Sequence, residues 1–520
     1  MGVFNGILDG IVSCFGVLTP LQWLGLLGLV MLYIYWSLTK NYGVFEKQGL
    51  FSITPKLLFG NTKDLVMETK SMIQFYRDIY KQFGDRKYGI FNDGTAPTLL
   101  IKDPDLIKQV LVTDFDHFVD LNFIPKDLAH LPLNELGLTN AVGDEWRSLR
   151  TSITPAFSLK NIKNIGTKIN APALDVIDAM KKCPKGLVDM EKLTGHYAID
   201  CIGRIVFSMD FQTIKSDGNE IVTNGNNFFE TWRFFMTMSI PKLAKLFNIS
   251  LFKPQSVRYF LAMTENILKG RNGSKTYPND VLGLMMKIRD QKLAPEDDDL
   301  KGQKQALAAK FMTDTMISRT LMQFFLDGYD TVSALLSMVF YFVAIDPEVQ
   351  DRLLIEIDDM ASKVGANITG DDVKDLKYLD QVFHESSRLA AFSFTVRRCT
   401  KSWKIPGTDV VIPEDMGVLI PIQGLHTDPQ YFPDPEKFDP DRFSPEYKLT
   451  MKTGTFLPFG MGPRACIGMQ IALMEAKILM YQVFRNFRLE PCDQTVIPIK
   501  WRKDHFNRLD GGVKLKAVPR

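Results

Sequence analysis

The chain has 520 residues, 45% of them hydrophobic and 23% charged, which is the composition of a packed protein and excludes a disordered one. A net charge of +2 leaves no electrostatic footprint for nucleic acid. Six cysteines, at positions 14, 183, 201, 399, 466 and 492, stand without a C-x-x-C pair. That argues against a zinc ribbon or disulfide framework and for a reducing compartment.

From Gly10 to Thr39 there is no charged residue, and Leu18 to Leu38 is long enough to cross a bilayer as a helix. Trp23, Tyr33, Tyr35 and Trp36 suit the membrane interfaces. Asp9 precedes the segment while Lys40 and Lys47 follow it, so the positive-inside bias puts the long C-terminal body in the cytosol. The first arginine is Arg77, which excludes a mitochondrial transit peptide. Residues 1–39 therefore read as a membrane anchor, 40–60 as a linker broken by Gly43, Gly49, Pro55 and Gly60, and 61–520 as one large domain.

Tyr88 to Phe91 and Thr98 to Ile101 flank Asn92-Asp93-Gly94 and are expected to form a hairpin. Asp103-Pro104 opens a helix carrying Leu106, Ile107, Val110 and Leu111. The middle of the chain is helical in pattern, with the acidic stretch 295–299 as a solvated loop. A long helix is expected from about Lys304 to Ile345, and Asp346-Pro347-Glu348 caps the next one. Short strands are expected around Asp409 to Ile412 and near the C-terminus, giving a mainly α fold with small β-sheets.

Several constellations carry chemistry. Within the long helix lies Asp327-Gly328-Tyr329-Asp330-Thr331, where Asp327 and Thr331 share a face and Gly328 opens a groove. Trp146 and Arg150 are four apart on a helix and are both donors. Glu385 and Arg388 are three apart and can pair, with Arg442 as a third partner. His384-Glu385 is followed by Arg388 where a zinc protease needs a second histidine. Near the C-terminus, Phe459-Gly460-Met461-Gly462-Pro463-Arg464-Ala465-Cys466-Ile467-Gly468 sets a lone cysteine in a glycine-broken loop. The amides of Ile467 and Gly468 are expected to point at its sulfur. Gly460, Gly462 and Gly468 allow positive φ and close approach, and Phe459 shields the thiol.

This last stretch fits F-G-x-G-x-R-x-C-x-G and resembles the haem-binding loop of the cytochrome P450 superfamily. The resemblance runs from the linker to Val513. It is nearest, over 144–157 and 459–474, to the animal microsomal clan of drug-metabolising and arthropod detoxification enzymes. It implies a cytochrome P450 fold behind a transmembrane helix, haem b as cofactor and Cys466 as the iron ligand. Trp146, Arg150 and Arg397 would bind haem propionates, with Arg398 the alternative to Arg397, and Phe459, Arg464 and Gly468 would also contact the haem. Asp330 and Thr331 would relay protons, while Asp327 stands where the family has Ala or Gly. Asp327 then holds a polar or cationic substrate, orders a water, or turns to solvent or backbone.

The implied activity is insertion of one oxygen atom into a lipophilic small molecule (xenobiotic, steroid or fatty-acid-like). No Gly-rich dinucleotide fingerprint opens a strand–helix unit, so NADPH-cytochrome P450 reductase is the implied electron donor, with cytochrome b5 as a second. Arg147, Lys452 and Lys477 are the guess for the docking surface. The implied location is the endoplasmic reticulum membrane, by a single-pass signal anchor. Phe115, Phe118, Phe228, Phe229, Trp232, Phe234 and Phe235 fall where the family lines its cavity, and Arg508 is expected in an exposed loop. The alternatives are a reductase-independent haem-thiolate isomerase or dehydratase, and a non-catalytic haem or lipid binder.

Overall fold

A computed structural model describes residues 19–520 except 122–123, 125–127, 129–133, 135–136, 158, 217, 274–276, 279, 291–309, 391 and 504–506. Asp9, the acidic stretch 295–299 and the first residues of the expected long helix lie outside the described residues. Helix α1 spans Pro20–Thr39, is capped by Thr19, and buries none of its apolar side chains. It is long and apolar enough to cross a membrane.

The stretch expected as a linker packs against the body. Phe45 and Leu50 are buried in a core with Tyr80, Ile90 and Leu99, and Ser52 bridges Ile90 in parallel.

The body is mainly helical, with three small sheets among the described residues. The largest is built from β1 (Tyr88–Asp93), β2 (Ala96–Ile101), β4 (Thr395–Arg398) and β7 (Gly417–Ile420), in the order β1-β2-β7-β4. The β1–β2 hairpin is the expected one, turning at Gly94 with φ +57° and pairing Asp93 with Ala96. Its second strand, β2, then runs parallel to β7. A second sheet joins β3 (Leu187–Asp189), β8 (Phe487–Pro491) and β9 (Lys514–Pro519). A third pairs β5 (Trp403–Lys404) with β6 (Val411–Ile412).

Five helices frame the site. These are α2 (Gly143–Ile153), α3 (Met190–Val206), α4 (Asp314–Ile345), α5 (Lys377–Ala390) and α6 (Met469–Asn486). Helix α4 starts ten residues later than the sequence pattern implies, because the Thr313 hydroxyl accepts from the Met316 amide and caps it. Its 32 residues run through the main core and pack on α3, α5 and α6. The following helix begins as expected, with Asp346 Oδ1 accepting from the Val349 amide at 3.1 Å.

Glu385 and Arg388 on α5 form a fully buried bidentate pair, both bonds 2.7 Å. Arg442 lies 3.6 Å from the same carboxylate. Desolvation of two charges is offset here by close geometry and by added donors such as the Asp439 amide. The expected triad is thus assembled, and it ties α5 to the 434–443 segment.

Candidate active site

The loop before α6 turns back on itself through two glycines with positive φ, Gly460 at +72° and Gly462 at +77°. A Cβ on Gly462 would overlap the Leu111 carbonyl oxygen, so only glycine fits there. Gly468 is different from expectation: its φ is −83°, and it serves as the N-cap of α6. The Cys466 amide donates to the Phe459 carbonyl at 2.9 Å, closing the loop. Burial pushes the Cys466 thiol up, and the amides of Gly468 and Met469 oppose that shift. The sulfur therefore lies near the first amides of helix α6.

Cys466 opens onto a cavity of about 460 Å³ that is continuous with an apolar lobe of about 240 Å³. The main cavity is lined by ten of the residues the sequence pointed to: Cys466, Phe459, Arg464, Gly468, Trp146, Arg150, Arg397, Asp327, Asp330 and Thr331. They come from α2, β4, α4 and the cysteine loop, segments more than 300 residues apart in the chain.

Three arginines surround the loop. Arg150 donates to the Ala465 carbonyl at 2.8 Å. Arg464 stacks 4.0 Å from the Trp146 ring centroid and donates to the carbonyls of Val119, Leu138 and Ala141. Burial and the nearby Arg397 lower its pKa to about 9. Arg397 is buried, donates to the Thr395 hydroxyl and Val396 carbonyl, and among the described residues its Nε has no partner. Burial alone lowers its pKa to about 10. Arg398, next along β4, points to the other face toward the Ile124 carbonyl and does not line the cavity. A cavity rimmed by a lone thiol, an indole and three cations, one carrying an orphaned donor, fits a large apolar ligand with carboxylate arms. That is the chemistry of iron protoporphyrin.

On the opposite wall, Gly328 lets α4 approach α3: a Cβ there would lie 2.7 Å from Ile202 Cδ1. The Thr331 hydroxyl donates to the Asp327 carbonyl at 2.6 Å. Asp327 is exposed at the cavity wall, where Gln323 Nε2 donates to its Oδ2 at 3.0 Å. Burial raises its pKa to about 6, against the Gln323 bond.

Asp330 is held by Arg508 at 2.5 Å, and the same guanidinium reaches Glu191 at 2.9 Å. Arg508 is thus a buried ion-pair residue, correcting the exposed position expected for it. Burial works against its charge, but Asp330 and Glu191 outweigh that and hold its pKa above the ordinary range. The far side of Arg508 borders a polar cleft lined by Glu191, Lys192, His196 and Asp510.

Of the aromatics expected to line the cavity, Phe228 and Phe229 do so, joined by Phe252, Phe392 and Phe394. Phe115 instead packs on Trp146 and Phe118 on Trp403. Trp232 is half exposed and Phe234 packs against the main core, while the Phe235 side chain lies outside the described residues. Sequence reading also passed over Glu475 and Gln323. Both line the cavity, Glu475 nine residues after Cys466 and Gln323 four before Asp327 on the expected long helix.

A family model described as Cytochrome P450 matches residues 52–517. The chain is 31% identical to cytochrome P450 9e2 of Blattella germanica, over 94% of this chain and 96% of that one. It is 30% identical to cytochrome P450 6B2 of Helicoverpa armigera, covering 95% and 97%. Cytochrome P450 3A41 of Mus musculus shares 29% identity over 98% of both chains. With that match spanning the sheets, the cysteine loop and the cavity alike, the chain belongs to the cytochrome P450 family, haem-iron monooxygenases of the animal microsomal clan.

Proposed function

We propose that this monooxygenase inserts one oxygen atom from O2 into a lipophilic small molecule, drawing electrons from NADPH through a separate membrane-bound reductase. The observation that carries the reading is the single cavity on which a lone thiol, an acid–alcohol pair and an apolar lobe converge.

Bound haem supplies the oxygen-activating redox chemistry. Cys466 would hold the iron through sulfur, with the Gly468 and Met469 amides tempering its charge and Phe459 covering it. Arg397, with its unpartnered Nε, Arg150, Arg464 and Trp146 would anchor the propionates. Asp330 stands between the cavity and the outer polar cleft through its bond to Arg508. It would pass protons inward, with the Thr331 hydroxyl as the last donor. The aromatic lobe would hold the substrate and exclude water.

Helix α1 would anchor the chain in the endoplasmic reticulum membrane as a single pass with the body cytosolic. Of the basic residues considered for reductase docking, Lys477 is largely buried against Asp380, leaving Arg147 and Lys452, each in an exposed ion pair. Cytochrome b5 would be a second donor to the same face. Both Asp330 and Thr331 line the cavity, which favours oxygenation over a reductase-independent isomerase.

The test is the ferrous–CO difference spectrum of purified protein. A red-shifted thiolate-type Soret band is expected for the native chain and its loss for Cys466→Ser. A histidine-type band, or no haem, from well-folded native protein would overturn the reading.

A further inference from the structure

We infer that Asp327 makes this cavity a receptor for lipophilic cations, so the substrate class is an apolar amine or ammonium rather than a neutral or acidic lipid. The inference rests on the oxygenase reading only for the word substrate; the binding site itself stands on geometry.

Asp327 lines both the main cavity and the aromatic lobe. Its orientation is fixed from behind. The amide of Thr139 donates to Gln323 Oε1 at 3.0 Å, and Gln323 Nε2 bonds the Thr139 hydroxyl. Because Oε1 must face an N–H, the amide nitrogen is the end that faces Asp327, where it donates to Oδ2. Gln323 is 4% exposed, so this clamp is buried. Among the described residues Asp327 Oδ1 has no partner and no basic side chain pairs with the carboxylate.

The other charges around the cavity are already committed. Asp330 is ion-paired to Arg508, and Arg464 and Arg150 donate to backbone carbonyls and are the cations assigned above to the haem propionates. Arg397 sits on β4 with its Nε unpartnered among the described residues and is likewise assigned above to a haem propionate. One oriented, uncompensated carboxylate therefore meets whatever enters the lobe. Burying such a group is unfavourable, and a ligand cation relieves that cost while a ligand carboxylate adds to it. The lobe supplies the rest of the recognition. Phe228, Phe229, Phe252, Phe392 and Phe394 offer apolar area for the body of the ligand and ring faces for its charge.

The experiment uses two probes of equal shape, trimethyl(3-phenylpropyl)ammonium and its tert-butyl carbon isostere. The ammonium carries a permanent charge and cannot ligate iron. Equilibrium dialysis against the haem-loaded full-length protein gives both affinities. The cation is expected to bind at least tenfold tighter than the isostere. Asp327→Asn should abolish that ratio through weaker cation binding, while Asp327→Glu retains part of it.

A ratio near or below one for the native protein overturns the inference, whether or not the variants fold. A ratio unchanged in a folded Asp327→Asn variant overturns it equally. The CO difference spectrum of the same preparation reports separately on Cys466. Cation selectivity without a thiolate band would overturn the oxygenase reading and leave this one standing; a thiolate band without selectivity would do the reverse.

Discussion

Arg397 is a fully buried cation whose buried Nε has no partner among the described residues, which is an unfavourable arrangement unless a ligand anion completes it. Arg398, its neighbour on β4, has its backbone amide on the Asp120 carbonyl and its side chain away from the cavity. Arg397→Ala should therefore weaken haem retention about tenfold or more, ~1.4 kcal/mol for the first decade, while Arg398→Ala should leave it nearly unchanged. Haem loss to apomyoglobin, followed by absorbance, distinguishes the two; equal loss from both variants would show that Arg397 has no special role. At this scale the sequence was informative wherever spacing alone brings residues together. Trp146 and Arg150 share one helix face, and Cys466 and Arg464 share one loop. It was silent on Gln323 and misplaced Arg508 in an exposed loop, since Thr139 and Asp330, which hold them, lie 184 and 178 residues away. No local pattern marks a side chain whose role depends on a contact that distant.

Helix α6 begins at the cysteine loop, and its inner face carries Glu475, 2% exposed, with Oε1 unpartnered among the described residues. Burial raises its pKa to about 8, so it enters the fold as a neutral acid at pH 7. The sign follows from proton linkage. Between the ordinary glutamate value of 4.5 and about 8 the folded state binds the proton more tightly than the unfolded one, so stability falls as pH rises through that window and then levels. Glu475→Gln removes the titration. The variant should match the native protein closely near pH 5 and exceed its stability above pH 8, by at most ~5 kcal/mol. Urea denaturation at the two pH values measures this, and a constant difference would mean that Glu475 is not the titrating group. Elements were legible where turn and cap chemistry is local. The Gly94 hairpin, the Asp103 cap and the Asp346 cap all form as expected. The start of α4 was misplaced because its apolar pattern extends upstream, while the Thr313 cap that ends it is a single residue in a helical context.

For the whole molecule, composition and pattern gave the mainly α class, but not the sheet order. The parallel pairing of β2 with β7 joins residues about 320 positions apart, so it is invisible to any window along the chain. The same blindness affects the boundary between anchor and body. Glycines at 43, 49 and 60 suggest a linker, yet each glycine has positive φ and turns the chain back onto the body. Ile90 donates its amide to the Phe51 carbonyl at 2.7 Å, and the Asn92 amide donates to the Asn61 side chain. Phe45 and Leu50 are 8% and 7% exposed. Among the described residues, removing 1–39 takes away Thr19 and a helix with no buried side chain, so stability in detergent-free buffer should be unchanged within ~0.5 kcal/mol. Removing 1–60 also strips two buried apolar side chains, at roughly 1.5–3 kcal/mol each, and leaves the free edge of β1 uncovered. A loss of ~3–6 kcal/mol is a large share of the 5–15 kcal/mol typical of a folded domain, so the shorter protein should unfold at markedly lower urea. Equal urea midpoints for the two truncations would mean that 40–60 is a linker after all; separated midpoints place the working boundary of the catalytic body near residue 40.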